Sequence, residues 1–155
     1  MKIETKKELW VFSSFTGKFG NKEIKPAKTV SLFKRLKKNM FDSEIKRQLG
    51  AQECTLADVA AFLKNPPKGC DDGYANLFYV AGYVVRVNWV GDDRGWGVRA
   101  WELDDGLWPA GSRVFSRNWH SDPQPLAPSP SDTLPLELII NGINRTRRRL
   151  RRTVR

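Results

Sequence analysis

The sequence predicts an α+β fold: an antiparallel β-meander of about four or five strands packed against two or three short helices. Two observations indicate this class. Residues 77–119 contain three stretches rich in Val, Trp, Tyr and Phe, separated by Asp-Gly turn sets, as is typical of consecutive hairpins. Residues 42–65 instead have helix-starting and helix-ending residues around apolar positions spaced three or four apart, which predicts a helix pair.

The first forty residues predict one strand and one helix. Residues 8–15 are rich in aromatic and apolar side chains and predict a strand, and residues 16–21 supply turn chemistry after it. Between residues 29 and 39 the apolar side chains recur at helical spacing, so we expect a helix there. The polar side of that helix would be a basic surface made by Lys34, Arg35, Lys37 and Lys38.

Two shorter helices are predicted next, each with signals at its ends. Asp42 is placed to cap a helix over residues 43–49, and Gly50 suits the left-handed conformation that ends many helices. Thr55 and Asp58 have the spacing of a capping box, so a second helix begins there. The sequence Asn-Pro-Pro at 65–67 ends it, because proline has no N–H and disfavours helical geometry in the preceding residue.

The central region predicts the sheet. Strands are expected at residues 77–90, 96–103 and 112–119, where β-branched and aromatic side chains alternate with polar ones. Gly82 predicts a bulge or a break in the first of them. A strand near Trp10 would bring the total to four or five, with the helices on one face.

The rest of the chain consists of a proline-rich segment followed by an arginine-rich segment. Residues 121–135 contain five prolines among Ser, Asp and Gln, which predicts an extended linker after a single domain of residues 1–120. Residues 136–155 predict a basic amphipathic helix or tail, because apolar side chains recur there at helical spacing. Seven arginines and no acid lie between residues 145 and 155, so this short segment accounts for seven of the ten net positive charges.

The composition limits the classes of protein. No apolar run of 18 residues is present and the first seven residues are charged, so we expect a soluble, cytoplasmic protein without a membrane span. Cys54 and Cys70 are too few for a disulfide framework and are expected to be free, buried thiols. No phosphate-binding glycine loop, nucleophile motif or metal-ligand cluster occurs. We therefore expect a binding protein that is not an enzyme, with no cofactor and no metal.

Three Asp-Asp pairs and one histidine are the remaining candidates for chemistry. The pairs at residues 71–72, 92–93 and 104–105 could hold Mg²⁺ for phosphodiester cleavage. Each pair also adjoins a glycine in a predicted turn, where Asp is favoured because it bonds nearby backbone N–H groups. His120 has no neighbouring nucleophile, and we expect it to lie at the surface at the end of the last strand. An enzyme that uses the Asp pairs is thus the third hypothesis, behind two kinds of binding protein.

Nucleic-acid binding, to DNA or RNA, is the first hypothesis. Clustered arginines can neutralise several phosphates and often become ordered only on binding. We also expect Arg99 beside Trp101, with Arg86 across the ladder, to form an exposed patch that stacks on a base; the alternative is that the tryptophans are core and the arginines are solvated. The expected phosphate contacts are Lys34, Arg35, Lys37 and Lys38, and in the tail Arg145, Arg147, Arg148, Arg149, Arg151 and Arg152.

A protein partner is the second hypothesis. The chain would then be an inhibitor or accessory factor whose interface is the Trp-rich sheet or the C-terminal helix, because Trp and Arg are favoured at binding hot spots. The basic segment would direct it to an acidic protein. A solvated tail that only adds solubility is the simplest alternative for the arginines.

Overall fold

The computed structural model describes residues 5, 7–92 and 94–119, which form one six-stranded sheet with helices on both of its faces. The predicted linker at residues 121–135, the basic segment at residues 136–155, His120 and Asp93 all lie outside the described residues. In chain order the elements are β1 (Glu8–Val11), α1 (Ser13–Phe19), β2 (Leu32–Arg35), α2 (Asp42–Leu49), α3 (Leu56–Lys64), β3 (Asn76–Val80), β4 (Tyr83–Val90), β5 (Gly95–Trp101) and β6 (Arg113–Ser116).

The sheet has the strand order β1-β5-β4-β3-β6-β2. Strands β3, β4 and β5 form an antiparallel meander, and β2 is antiparallel to β6. Strand β1 is parallel to β5, and β6 is parallel to β3. The α+β class is therefore confirmed, but the sheet is mixed and has six strands, so the meander is limited to three of them.

A two-residue turn joins β3 to β4. Ala81 and Gly82 both have positive φ, at 48° and 81°, which is the geometry of the primed hairpin turns that match strand twist. The glycine therefore breaks the predicted strand into two, as one of the two sequence readings expected.

Each face of the sheet has its own apolar cluster. The first face carries Val85 and Val87 of β4 and is covered by α1 and α3, through buried Phe15 and Phe62. The second face carries Leu77 and Tyr79 of β3 and is covered by α2 and by the loops that hold Met40 and Trp108. The expectation that the helices lie on one face is wrong, because both faces of the central strands are buried.

The predicted helix at residues 29–39 is wrong: the region contains strand β2. Phe33 packs against Phe115 on the first face, with ring centres 5.2 Å apart, while Leu36 is buried in the second cluster. Apolar residues three apart share a face on a helix but lie on opposite faces of a strand. Since this sheet has a core on each side, the same spacing is satisfied by extended chain.

Residues 13–19 form helix α1, where a strand end and a turn were predicted. The helix begins after Phe12, whose carbonyl accepts from Phe15 and Thr16, and it ends at Gly20 with φ 71°. Phe15 is fully buried in the first cluster. Packing of this ring outweighs the weak helix propensity of a segment that contains a glycine.

The third predicted strand is observed as β6, but it does not pair with β5. Residues 102–112 cross the second face and return the chain to the far side of β3, where β6 runs parallel. A bridge between Met40 and Trp108 holds this crossing in place, with backbone bonds of 3.0 and 2.9 Å.

The two predicted short helices are present, with one difference in capping. Thr55 and Asp58 form the predicted capping interaction, since the Asp58 carboxylate accepts from the Thr55 backbone N–H at 2.6 Å. At α2 the cap residue is Phe41, whose N–H donates to Glu44. Asp42 is buried inside the first turn and accepts hydrogen bonds from other elements, so its predicted capping role is wrong.

Two of the composition-based predictions can be compared with the described residues. Cys54 and Cys70 are both free and buried. Burial raises the pKa of the Cys54 thiol to about 12, chiefly because the thiolate would be desolvated. Among the described helices, none combines the length and the apolar character that crossing a membrane requires.

Candidate nucleic-acid interface

Two arginines lie opposite each other on the second face. The register of β4 and β5 pairs Arg86 directly with Arg99, which places their Cβ atoms about 4.5–5.5 Å apart. Their sequence neighbours Val85, Val87 and Val98 are buried on the first face, so alternation along the strands directs both arginines to the second. This is the pairing that the sequence suggested for Arg86.

Neither guanidinium group forms an ion pair with a carboxylate of the described residues. In the described part of the chain Arg86 makes no hydrogen bond or ion pair, and its buried Nε has no acceptor. Burial, and after it the charge of Arg99, lowers the pKa of Arg86. The guanidinium carbon of Arg99 is 3.9 Å from the ring centre of Phe12. Two cations therefore share one half-buried surface, and no carboxylate of the described part of the chain is paired with either.

Aromatic side chains surround the pair. Trp101 is two residues beyond Arg99 on the same strand and thus on the same face. It is half-buried, and its ring meets the edge of Trp108 at a centroid distance of 6.4 Å. The indole N–H of Trp101 is buried without an acceptor among the described residues. The Trp101 ring is therefore neither fully buried nor fully exposed.

Phe12 and Trp10 belong to this surface, although sequence reasoning did not find them. A Cβ added to Gly95 would lie 2.1 Å from the Trp10 ring, and one added to Gly97 would lie 3.3 Å from the Phe12 ring. The two aromatic rings of the β1 region therefore fill the space left by the glycines of β5. The alternation Gly95-Trp96-Gly97 was a signal, because a strand with glycine at every second position leaves a bare strip on one face.

A groove of about 470 Å³ adjoins the arginines on the second face. It is lined by residues 73–75, Arg86, Trp101 and residues 106–109. Its volume lies in the range of small-ligand sites. No lining residue is acidic, so the only formal charge in the wall is that of Arg86.

A buried carboxylate fixes one wall of the groove. Asp42 accepts from the indole N–H of Trp108 at 2.7 Å, from the Tyr79 hydroxyl at 2.8 Å and from the backbone N–H of Asp104 at 2.8 Å. These bonds tie the crossing segment to α2 and β3. Burial and then the neighbouring Asp42 charge raise the pKa of Tyr79, so its hydroxyl stays a donor.

The predicted basic surface lies at the sheet edge and not on a helix. Lys34 and Arg35 are in the edge strand β2, and Lys37 and Lys38 follow it as exposed residues. The Lys34 ammonium is 4.6 Å from the ring centre of Trp119, and Arg35 is 3.5 Å from the Asp72 carboxylate. Lysines on an edge strand also prevent edge-to-edge association, so their position has a structural explanation.

The structure separates the predicted site residues into two groups. Trp101 lines the groove together with Arg86, and Arg99 lies opposite Arg86 on the neighbouring strand. The four basic residues around β2 are three or more strands away. The remaining predicted contacts, Arg145, Arg147, Arg148, Arg149, Arg151 and Arg152, lie outside the described residues.

One member of each of two Asp pairs, Asp72 and Asp104, accepts hydrogen bonds from other parts of the fold. Asp72 forms an ion pair with the buried Arg113, whose side chain bonds both of its oxygens, and this bonding lowers the pKa of Asp72. Asp104 accepts from the backbone N–H of Ser43 at 2.8 Å. Within residues 5, 7–92 and 94–119, no group of three or more His, Cys, Asp or Glu side chains is placed to hold a metal ion.

Comparisons with protein-family models, curated proteins and solved structures gave no match to this chain.

Proposed function

We propose that this protein binds nucleic acid without a catalytic step, and that the surface formed by Arg86, Arg99 and Trp101 contacts an unpaired strand. The observation that carries the proposal is the pair of opposed arginines without a carboxylate partner in the described chain. Like charges directly opposite each other on a sheet are destabilising. A phosphate placed between them would remove this repulsion and supply the missing acceptors.

The aromatic rings favour unpaired over duplex nucleic acid. Trp101 and Phe12 are half-buried, so each keeps part of its surface accessible beside the arginines. Stacking of a base on an aromatic side chain stabilises single-stranded complexes by about 1–3 kcal/mol per base, whereas bases in a duplex have their faces covered. The arginine-rich tail would add contacts to phosphate that do not depend on sequence.

Titration of oligonucleotides tests the proposal. Mixed single-stranded and duplex 20-mers are titrated at two salt concentrations into the full chain and into a version that ends at Asp132. We expect tighter binding of the single strand and a steep loss of affinity with salt that becomes shallower on truncation, because each phosphate contact adds to the salt slope. The absence of binding by the full chain at low salt would end the proposal.

Matched variants separate the patch from general charge. Arg86→Met and Arg99→Met each remove one charge from the patch, and Arg47→Met removes one from the exposed surface of α2. We expect a fivefold or greater loss of single-strand affinity in the two patch variants, and less than twofold in Arg47→Met. Equal losses in all three would assign binding to net charge alone.

A protein partner is the second candidate, and the rim of the groove favours it. Tyr74 and Leu107 are 45% and 49% exposed, and Tyr, Trp and Arg together are typical of hot spots. This chain would then be an inhibitor or accessory factor, and its partner would present an acidic, apolar segment to the groove. Glutamate-rich peptides that bind more tightly than an oligonucleotide of equal charge would favour this candidate over nucleic acid.

A further inference from the structure

The groove next to Arg86 is lined largely by aromatic and apolar side chains. Tyr74 stands at one rim, where its ring packs on the backbone of Gly111: a Cβ there would be 2.7 Å from the ring. Trp101 and Trp108 form the aromatic part of the lining, and Leu107 adds an exposed apolar side chain. Aromatic and apolar walls of this kind suit the face of a base.

Two side chains of the groove lining carry N–H donors that have no acceptor among the described residues, Arg86 and Trp101. Arg86 and Trp101 are diagonal neighbours across β4 and β5, because Trp101 is the partner of Val84 and Arg99 the partner of Arg86. Diagonal side chains on a sheet are within reach of one another when they are long or aromatic. Both have buried N–H groups without an acceptor in the described chain. The Trp108 indole N–H is already committed to Asp42.

No carboxylate of the described residues lines the groove. The acids adjacent in sequence to the lining are Asp72, Glu102 and Asp105. Asp72 is bonded to Arg113 and Glu102 to Lys18, Asp105 is exposed, and none of the three lines the groove. A ligand with amino groups on the contacting edge would therefore set its donors against Arg86 and Trp101. A ligand with carbonyl or ring-nitrogen acceptors on that edge would satisfy them.

We propose that the groove binds one unpaired keto base, guanine or uracil or thymine, with the adjoining phosphate on Arg86 and Arg99. Guanine presents two acceptors, O6 and N7, on one edge, and uracil and thymine present a carbonyl, whereas adenine and cytosine present an amino group there. This inference rests on the proposed function and adds to it a preference among bases. Because the proposed site holds one base and one phosphate, a single nucleotide should be sufficient for binding.

The test uses the full chain and four nucleoside monophosphates. GMP, UMP, AMP and CMP are titrated by calorimetry at physiological salt, with inorganic phosphate and guanosine as the two halves of the ligand. We expect GMP and UMP to bind about tenfold more tightly than AMP and CMP, and each half to bind more weakly than GMP. Equal affinity for all four nucleotides, or phosphate as tight as GMP, would overturn the inference.

Three variants locate the site. Tyr74→Ala removes the rim of the groove, and Phe41→Ala is its control, because Phe41 is 43% exposed and does not line the groove. We expect at least a fivefold loss of GMP affinity in the first and no change in the second. Trp101→Phe keeps a ring and deletes the N–H donor. We expect it to lower the affinity for GMP more than the affinity for AMP, so that the ratio of the two affinities falls. An unchanged ratio would mean that the indole N–H does not contact the base.

The outcomes separate the inference from the function it rests on. Oligonucleotide binding that depends on Arg86 and Arg99 but is insensitive to Tyr74→Ala and to base identity would leave the proposed function and remove the keto-base site. The absence of all oligonucleotide binding at low salt would remove both. Thermal unfolding of each variant shows whether the fold has been kept, and Phe41→Ala gives the reference for losing an exposed ring.

Discussion

Replacement of Arg86 by methionine should stabilise the protein while it weakens binding. The guanidinium is half-buried, its Nε has no acceptor in the described chain, and a second cation lies directly opposite on β5. Methionine keeps a long, unbranched side chain on the strand and removes both the charge and the donors. Residues kept for binding at a cost in stability are a common feature of functional sites.

The magnitude follows from two unfavourable contributions. A buried donor without a partner costs about 1–3 kcal/mol, and the low end applies because the Arg86 side chain is only half-buried. Relief of a like-charge cross-strand pair adds about 0.2–1 kcal/mol. We therefore expect the free energy of unfolding to rise by about 1–2 kcal/mol, which raises Tm by about 4–8 °C for a domain of this size.

Thermal unfolding at neutral pH and low salt measures the effect, with Arg47→Met as the control. Arg47 is exposed on α2 and has no hydrogen bond or ion pair within the described residues, so its loss should change stability by less than about 0.5 kcal/mol. Added salt should reduce the part of the gain that comes from repulsion. A fall in Tm for Arg86→Met would refute the reasoning, because it would mean that the guanidinium is satisfied in the native protein.

Three further predictions concern the packing and the ion pairs that hold the fold. Gly95→Ala should destabilise by about 2–3 kcal/mol in urea unfolding, since the added Cβ would lie 2.1 Å from an aromatic ring and 2.5 Å from a backbone oxygen. Gly17→Ala is its control: nothing lies within 4 Å, so the helix should gain about 0.5–1 kcal/mol. Asp42→Ala should cost about 3 kcal/mol because it leaves three donors without their shared acceptor, and a loss below 1 kcal/mol would contradict this. The bond from Arg113 lowers the pKa of Asp72 in the folded state, so its contribution is present above the unfolded pKa and is lost as pH falls through the folded one. The free energy of unfolding measured between pH 5 and pH 2 should therefore fall less steeply in Asp72→Asn than in the parent. Equal slopes in the two proteins would show that this ion pair does not contribute to the loss of stability in acid.

Local signals predicted the parts of the fold that local chemistry decides. The capping spacing of Thr55 and Asp58, the prolines after α3 and the positive φ available at Gly82 each act within a few residues, and each is observed. Helix α1 and strand β2 were predicted incorrectly because Phe15 and Phe33 take their conformation from distant partners in the core. Propensity is too weak to decide such segments against burial of an aromatic ring.

The candidate site was predicted only in part, because local patterns place neighbours on one strand but do not bring distant strands together. Alternation alone placed Arg99 and Trp101 on one face and suggested Arg86 opposite. Nothing in the local pattern brought Trp10 and Phe12 to that surface, because β1 joins the sheet beside β5 through a pairing that spans more than eighty residues of sequence. The basic cluster around Lys34 was assigned to a helix, and it lies instead along a sheet edge.

The amino-acid sequence by itself determined the α+β class, the two helices between residues 42 and 65, the β3-β4-β5 meander and the alternation that separates arginines from core valines. Only the tertiary structure decided the strand order, the second core and the groove. These depend on which distant strands meet, and that choice is made by burying aromatic rings on two faces at once, a property of the whole chain that no window of sequence contains.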